Sequence, residues 1–397
     1  MATKNDLRAA QNAIAAALSQ HAAYQYRASS SIVNAFDKRL LELTGGLAKD
    51  LLYLLDGLTK SEMQWFLSGQ YKTARLKRLR DAIKAYGNDV GKALASEWSE
   101  SAPKLAAYEA GYAAQVLGQA VEGLPKENIA GAAVYAKAMK TPFSGAAPYG
   151  GKLVQELLDG FGSKHADQVM AAVRSGVVSG QTNSQIVKVV RGTAALNYQD
   201  GIVQIARGDA ERFIRTARNH ISNQAMAETY EKLGVTHVVF VATLDGRTSR
   251  LCASLDGKAW KVDEPHPTPP LHPNCRSVIV PSLDGELIGQ RPYMRALKVK
   301  KRDGSDRFRS VGDMTKKQRE EAGLEQGQVS AGTSYSSWFK SQDSAFQSEW
   351  LGPTRYKLYQ EGKYGLSRFV DPLSGKQYTI DELRARDAET FRQIFGD

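Results

Sequence analysis

Cysteine is nearly absent from this chain: its 397 residues contain two, Cys252 and Cys275. Two thiols cannot form a disulfide framework for a protein of this size, so stability has to come from buried apolar surface. Long hydrophobic runs are missing as well. No stretch approaches the roughly 20 apolar residues that span a bilayer, and the opening Met1-Ala2-Thr3-Lys4-Asn5-Asp6 lacks the basic-then-apolar pattern of a secretory signal. Maturation in a cytoplasm is therefore expected. Catalytic signatures are also lacking. There is no His-Glu-x-x-His helix, no Gly-x-Ser-x-Gly elbow and no Walker loop, which leaves metalloprotease, serine-hydrolase and P-loop ATPase readings without their motifs.

What is present is a folded-protein composition, 42% apolar and 24% charged, in a chain longer than one hydrophobic core usually serves, so two to four folded units are expected. The net charge of +11 is unevenly placed. Lys72 to Lys84 holds six basic residues against Asp81, and Arg291 to Arg319 holds eleven against three acids. The rest of the chain is close to neutral. Clustered cations lose their self-repulsion when a polyanion or acidic surface opposes them, so Lys72, Arg75, Lys77, Arg78, Arg80 and, in the second strip, Lys298, Lys300, Lys301 and Arg302 are the candidate contacts to a polyanion such as double-stranded DNA or to an acidic protein surface. A solvated helix face and a basic linker are the plainer alternative.

Periodicity organises the chain. Apolar residues recur at spacings of three and four over residues 1–122, as in Ile32, Phe36, Leu40, Leu43 and Leu47, Leu51, Leu54, Leu58, which predicts long helices. In the first basic strip Leu76, Leu79, Ile83 and Tyr86 form one stripe, with the cations mostly off it. Residues 123–150 are rich in glycine and proline and read as a linker, with a boundary near 150. A second helical region, 151–234, carries Leu153, Leu157, Phe161 and later Phe213, Ala217, Ile221, Ala225, and stops at Gly234. From Val235 to Leu244 the residues turn β-branched and aromatic, and a strand is predicted there, with a second at Arg276 to Pro281. Between them, two Asp-Gly pairs and five prolines predict an irregular loop fixed by side chains.

Residues 286–333 read as a basic, extended connector. In the closing region, 334–397, Phe339, Phe346 and Trp350 are expected on one helix face, Pro353 to start a helix and Gly362 to end it. Asp371 to Gly375 is a turn, and Thr379 with Glu382 has capping-box spacing. Trp338, Trp350 and Tyr356 beside Arg355 suit a small apolar core better than a base-stacking platform.

Three segments in order, Thr243-Leu-Asp-Gly-Arg-Thr-Ser249, Cys252-Ala-Ser-Leu-Asp-Gly257 and Pro269-Pro-Leu-His-Pro-Asn-Cys-Arg276, resemble the core motif of the Mu F-like minor head proteins of tailed bacteriophages. The helix carrying Arg215, Thr216 and Asn219, and the tail from Trp338 to Asp381 with Leu351-Gly-Pro-Thr-Arg355, look like the same proteins. The resemblance covers roughly the second half of the chain. It implies a mainly α protein with a small α+β module of short strands at 235–285, low in copy and arranged by portal symmetry. The implied partners are the portal protein, with the major capsid protein as a further candidate, and the implied place is the virion head. Roles in head assembly, DNA packaging or ejection come with it. An ejected DNA-binding protein, or a metal- or cysteine-dependent enzyme, are the competing classes.

Within the motif, Cys252, His272 and Cys275 are candidate zinc ligands, with His266 or Asp245 as a conceivable fourth. Many relatives carry cysteine where this chain has Ser249 and Ser277, and serine is a poor zinc ligand. No cofactor is therefore expected, zinc being the one alternative. The preferred reading makes both cysteines small buried residues and has His272 bonded to loop carbonyls. Asp245, Arg247, Thr248, Asp256, Gly257, Pro273, Asn274 and Arg276 are assigned structural roles: Asp245 pairs with Arg247 or caps the loop, and Arg276 pairs with Asp256 or Asp263. Neither an activated thiolate nor its base is visible in sequence, so an enzyme is not expected.

Overall fold

The computed structural model describes residues 4–120, 130–145, 148–232, 235–282, 285, 287, 289–294, 297–300, 306–309, 326–371 and 374–396. It is mainly α with small antiparallel sheets. The helical body comprises α1 (Lys4–Leu55), α2 (Lys60–Leu67), α3 (Ala74–Ala120), α4 (Gly131–Lys140), α5 (Val154–Val178), α6 (Asn183–Arg191) and α7 (Val203–Lys232). The stripe Phe36, Leu40, Leu47, Leu51 of α1 and the stripe Leu76, Leu79, Ile83, Tyr86 of α3 are buried in one cluster. Past Trp98 the α3 stripe changes from large to small, with Ala102, Ala106 and Ala110. Small side chains let neighbouring backbones close in where large ones would hold them apart. No described helix is long and apolar enough to cross a membrane.

That cluster runs from Ile32 to Ala225, so the helices on both sides of the glycine- and proline-rich 123–150 stretch share one core. Its described parts are packed rather than strung out: α4 buries Val134 and Ala138, and Gly145 sits at φ +91°, where a Cβ would meet the carbonyl of Leu271 at 2.2 Å. Only glycine fits there. In α5 the buried stripe is Val154, Leu158 and Phe161, one residue on from the Leu153 and Leu157 expected from spacing, which are half-buried.

After α7 come β1 (His237–Val241), α8 (Arg250–Leu255), β2 (Ala259–Lys261) and β3 (Val278–Ser282). The three strands form an antiparallel sheet in the order β2-β1-β3, with Val239 opposite both Ala259 and Val280. The two longer strands fall where β-propensity put them. The segment expected to be one irregular loop also contains α8 and β2, each too short to show a period. Residues read as an extended connector pair into ladders: β4 (Gln290–Met294) with β7 (Gln326–Ser330), and β5 (Leu297–Lys300) with β6 (Asp306–Arg309).

The closing region builds its own apolar cluster around Tyr335, Trp338, Phe339, Phe346, Leu358 and Phe369. Phe339 and Trp350, expected on one helix, lie on α9 (Tyr335–Lys340) and α10 (Ser344–Leu351), their rings 4.9 Å apart. Asp343 ends the first of these by capping the second, accepting from Phe346 N at 2.8 Å. Pro353 opens α11 (Pro353–Gln360), which ends just before Gly362. Thr379 and Glu382 form the expected capping box at the start of α12 (Ile380–Arg386), and α13 (Ala388–Phe395) closes the chain.

Candidate functional site: a polar-locked module on helix α7

Helix α7 is shared between two cores. One face gives Phe213, Ile214, Ala217 and Ile221 to the helical body, and its end gives Met226 and Tyr230 to the cluster beneath the sheet. Between them a row of polar side chains is buried: Thr216, Asn219 and Asn223. Thr216 and Asn219 satisfy backbone groups of the proline-rich segment that no ladder pairs, and Asn223 satisfies one on strand β3. Thr216 Oγ1 accepts from Asn274 N at 2.9 Å, Asn219 Nδ2 donates to Cys275 O at 2.8 Å, and Asn223 Oδ1 accepts from Ile279 N at 3.2 Å. The loop before β3 is held by a helix instead of by a strand.

At the tip of that loop His272-Pro273-Asn274-Cys275 makes a tight turn, closed by Cys275 N donating to His272 O at 3.1 Å. Asn274 is left-handed at φ +60°. Proline at the second position and an αL-tolerant residue at the third are what a type II turn calls for. The turn brings His272 and Cys275 round to α8, where Ser249 caps the helix by accepting from Cys252 N at 3.2 Å. Cys252 Sγ then lies 3.2 Å from His272 Nε2 and 3.7 Å from Cys275 Sγ, and one donor atom from each of the three residues falls within 4.8 Å of the others. His272 Nδ1 is turned away to Pro273 O at 2.9 Å, the loop carbonyl contact expected for it.

Burial raises the Cys252 thiol well above its usual range, reinforced by Cys275. Cys275 is shifted well below the usual thiol range: burial opposes this, but the Cys252 S–H and the His272 ring outweigh it. His272 is raised, the Cys275 sulfur overcoming the effect of burial. Neither proposed fourth ligand joins the cluster. His266 Nδ1 is held by Glu264 O at 2.7 Å with its ring against Trp260, and Asp245 is committed elsewhere.

Asp245 caps the Asp-Gly-Arg-Thr turn, accepting from Arg247 N and Thr248 N, both at 3.0 Å. The Arg247 side chain itself is exposed. Arg276 grips the same carboxylate through both terminal nitrogens at 2.5 and 2.8 Å. Its pairing with Asp256 or Asp263 is thus corrected: Asp263 is exposed, and Asp256 belongs to Arg291. Against the effect of burial, Arg276 holds the Asp245 carboxyl below its ordinary 3.8. Asp256 is equally saturated. It accepts from Arg291 Nη1 and Nη2 at 2.9 and 3.0 Å, from Ala242 N at 2.7 Å and from Tyr335 N at 2.6 Å. The next residue, Gly257 at φ +78°, returns the chain to the sheet by donating to Phe240 O at 2.9 Å.

The closing region completes this module. Tyr335 Oη donates to Asp245 O at 2.9 Å, Trp350 Nε1 to Thr248 O at 3.1 Å, and Arg250 reaches Gln377 at 2.7 Å. Arg291 and Tyr335 were not singled out from the sequence. Arg276 was the partner expected for Asp256, and nothing in the spacing points to Arg291, 35 residues downstream.

The first basic strip divides by burial. Lys72, Lys77, Arg78 and Lys84 are exposed, whereas Arg75 and Arg80 are half-buried. Arg75 donates to Asp56 O at 2.5 Å and Arg80 to Asp81 at 2.8 Å. Lys298 and Lys300 fall on β5, opposite Phe308 and Asp306; Lys301 and Arg302 lie outside the described residues.

The fold and site define a mainly helical protein carrying a small α+β module whose loops are locked by buried polar pairs onto one long helix. Residues 167–280 match the family described as Phage Mu protein F like protein, and this segment supports the resemblance to the Mu F-like phage head-morphogenesis proteins. The match takes in α7, the sheet and the Cys252–His272–Cys275 cluster. No curated protein and no solved structure gives a significant match.

Proposed function

We propose that the chain is a structural protein of a tailed-phage head, placed at the portal vertex or the head interior, where it contacts the portal protein and packaged DNA. The observation that carries this is the match of residues 167–280 to a head-morphogenesis family. Its charge distribution supports the DNA contact. The α3 face bearing Lys77, Arg78 and Lys84 is exposed while Leu76, Leu79 and Ile83 hold the helix to the core. Duplex DNA presents about one phosphate charge per 1.7 Å, so such a face meets phosphate in any register and without sequence choice. For the portal contact our reading favours the N-terminal helices, where Leu52 and Tyr53 stand exposed.

The role is binding and not catalysis. The Cys252–His272–Cys275 cluster adjoins a cavity of about 10 Å³, room for about one water and no substrate. Quantitative mass spectrometry of full particles beside particles that have released their DNA, with portal protein as internal count, tests the assignment. Retention at a fixed ratio to portal in both supports a resident head protein. Loss on emptying makes it an ejected protein, and absence from both overturns the proposal.

A further inference from the structure

We infer that Cys252, His272 and Cys275 form a structural site for a thiophilic divalent cation, zinc being the one their chemistry selects. Two sulfurs and an imidazole nitrogen favour zinc over the oxygen-seeking magnesium and calcium. The spacing agrees. With Zn–S near 2.3 Å and Zn–N near 2.1 Å, a tetrahedral site has S···S edges of roughly 3.8 Å and S···N edges of roughly 3.6 Å. Two edges here are 3.7 Å between the sulfurs and 3.2 Å from Cys252 Sγ to His272 Nε2, each within a few tenths of an ångström of the tetrahedral value, and the three donor atoms all lie within 4.8 Å of one another.

The surroundings are those of a ligand set. His272 Nδ1 donates to Pro273 O, which fixes the tautomer with the Nε2 lone pair facing the sulfurs, the usual outer-shell arrangement of a metal-binding histidine. Both cysteines are buried, and each is fixed by backbone: Cys252 by the Ser249 cap, Cys275 by the turn and by Asn219. The adjoining cavity is lined by Ser249, Asn274 and Ser277 beside the cluster. Asn274 Oδ1 is buried with no hydrogen-bond partner, a desolvated acceptor left unsatisfied if nothing meets it. Hydrogen bonds within the cysteine–histidine cluster leave that oxygen unexplained. A fourth coordination position filled by it, or by a water it holds, accounts for it. The cation would clamp α8 to the loop before β3, joining segments that share no ladder, and its binding energy would act as folding energy.

The test uses the full chain, purified under reducing conditions with any affinity tag removed. Plasma mass spectrometry is expected to find about one zinc per chain. Cobalt in place of zinc should give the thiolate-to-cobalt charge-transfer band and the intense visible bands of a tetrahedral site. Cys275→Ser and His272→Gln should lose both, while His266→Gln, whose residue lies outside the cluster, should keep them. If the ligand variants fail to fold, the cobalt spectrum of the unaltered chain still decides. Less than about a tenth of an equivalent of zinc together with no cobalt bands overturns the inference. So does recovery of a Cys252–Cys275 disulfide in place of metal.

Discussion

Along the apolar stripes of the helical body the side chains are close to interchangeable in kind: Phe36, Leu40, Leu79 and Ile83 contribute by volume and area, and the buried Glu109 with His21 and Ser222 is a polar exception further along α3. In the module on α7 the deciding groups are Asp245, Asp256, Arg276 and Arg291, together with Asn219 and Asn223, and each has particular partners at particular atoms. A buried apolar side chain loses in proportion to the volume removed. A buried carboxylate gripped by an arginine loses nearly everything when one atom changes type, because its partner stays behind as an unpaired charge. The same chain therefore has a region tolerant of substitution in kind and a region tolerant of almost none.

The sharpest way to break that contrast pairs two near-isosteric substitutions. Asp256→Asn keeps the shape but sets an amide NH2 against donors from Arg291, Ala242 and Tyr335. It is expected to cost about 4 kcal/mol. Leu79→Met, in the fully buried α3 stripe, keeps the volume and is expected to cost less than about 1.5 kcal/mol. Urea titrations followed by tryptophan fluorescence and far-ultraviolet dichroism compare the two. Equal losses would remove the distinction between the regions.

Proton concentration sharpens the same comparison with a smaller effect. The Asp245 carboxyl is held below 3.8 in the folded protein, chiefly by Arg276 working against burial. A depressed carboxylate stabilises the fold above its ordinary value, and that contribution is lost as pH falls through the folded value. Asp245→Ala should thus be less stable than the parent by about 3 kcal/mol near neutral pH. The gap should narrow as pH drops below 3.8. A gap that stays constant through that range would show that Asp245 acts through packing rather than charge.

The contrast also explains what was legible in the sequence. Stripes such as Phe36–Leu40–Leu47–Leu51 repeat over many turns, so spacing alone placed them, and Val238 to Val241 announced β1 by residue type. Capping chemistry is local as well, and Thr379–Glu382 was readable for that reason. The pairing of Asp256 with Arg291 was not, since a polar pair leaves no period and its partners come from different elements. Arg276 was assigned to the wrong aspartate because three acids lie within reach along the chain, and only the fold of the Asp245 turn selects among them. Cys252, His272 and Cys275 were visible as a set of residue types; their convergence depends on Thr216 and Asn219 of α7 holding the turn.

The smallest expected effect on stability falls on the exposed face of α3, and it separates folding from binding there. Replacing Lys72, Lys77 and Arg78 together by glutamine removes charges that are exposed, so stability should change by no more than about 0.5 kcal/mol per site. Lys72 also lies 5.0 Å above the Trp65 ring, which places any stability loss at that position first. Duplex DNA binding should respond differently. Each phosphate that the protein no longer neutralises lowers the slope of log affinity against log salt by about 0.9, so the triple variant should show a slope shallower by about 3. An unchanged slope with unchanged stability would mean that this face meets solvent only, and would move the search for the DNA-binding surface to the strip that begins at Arg291.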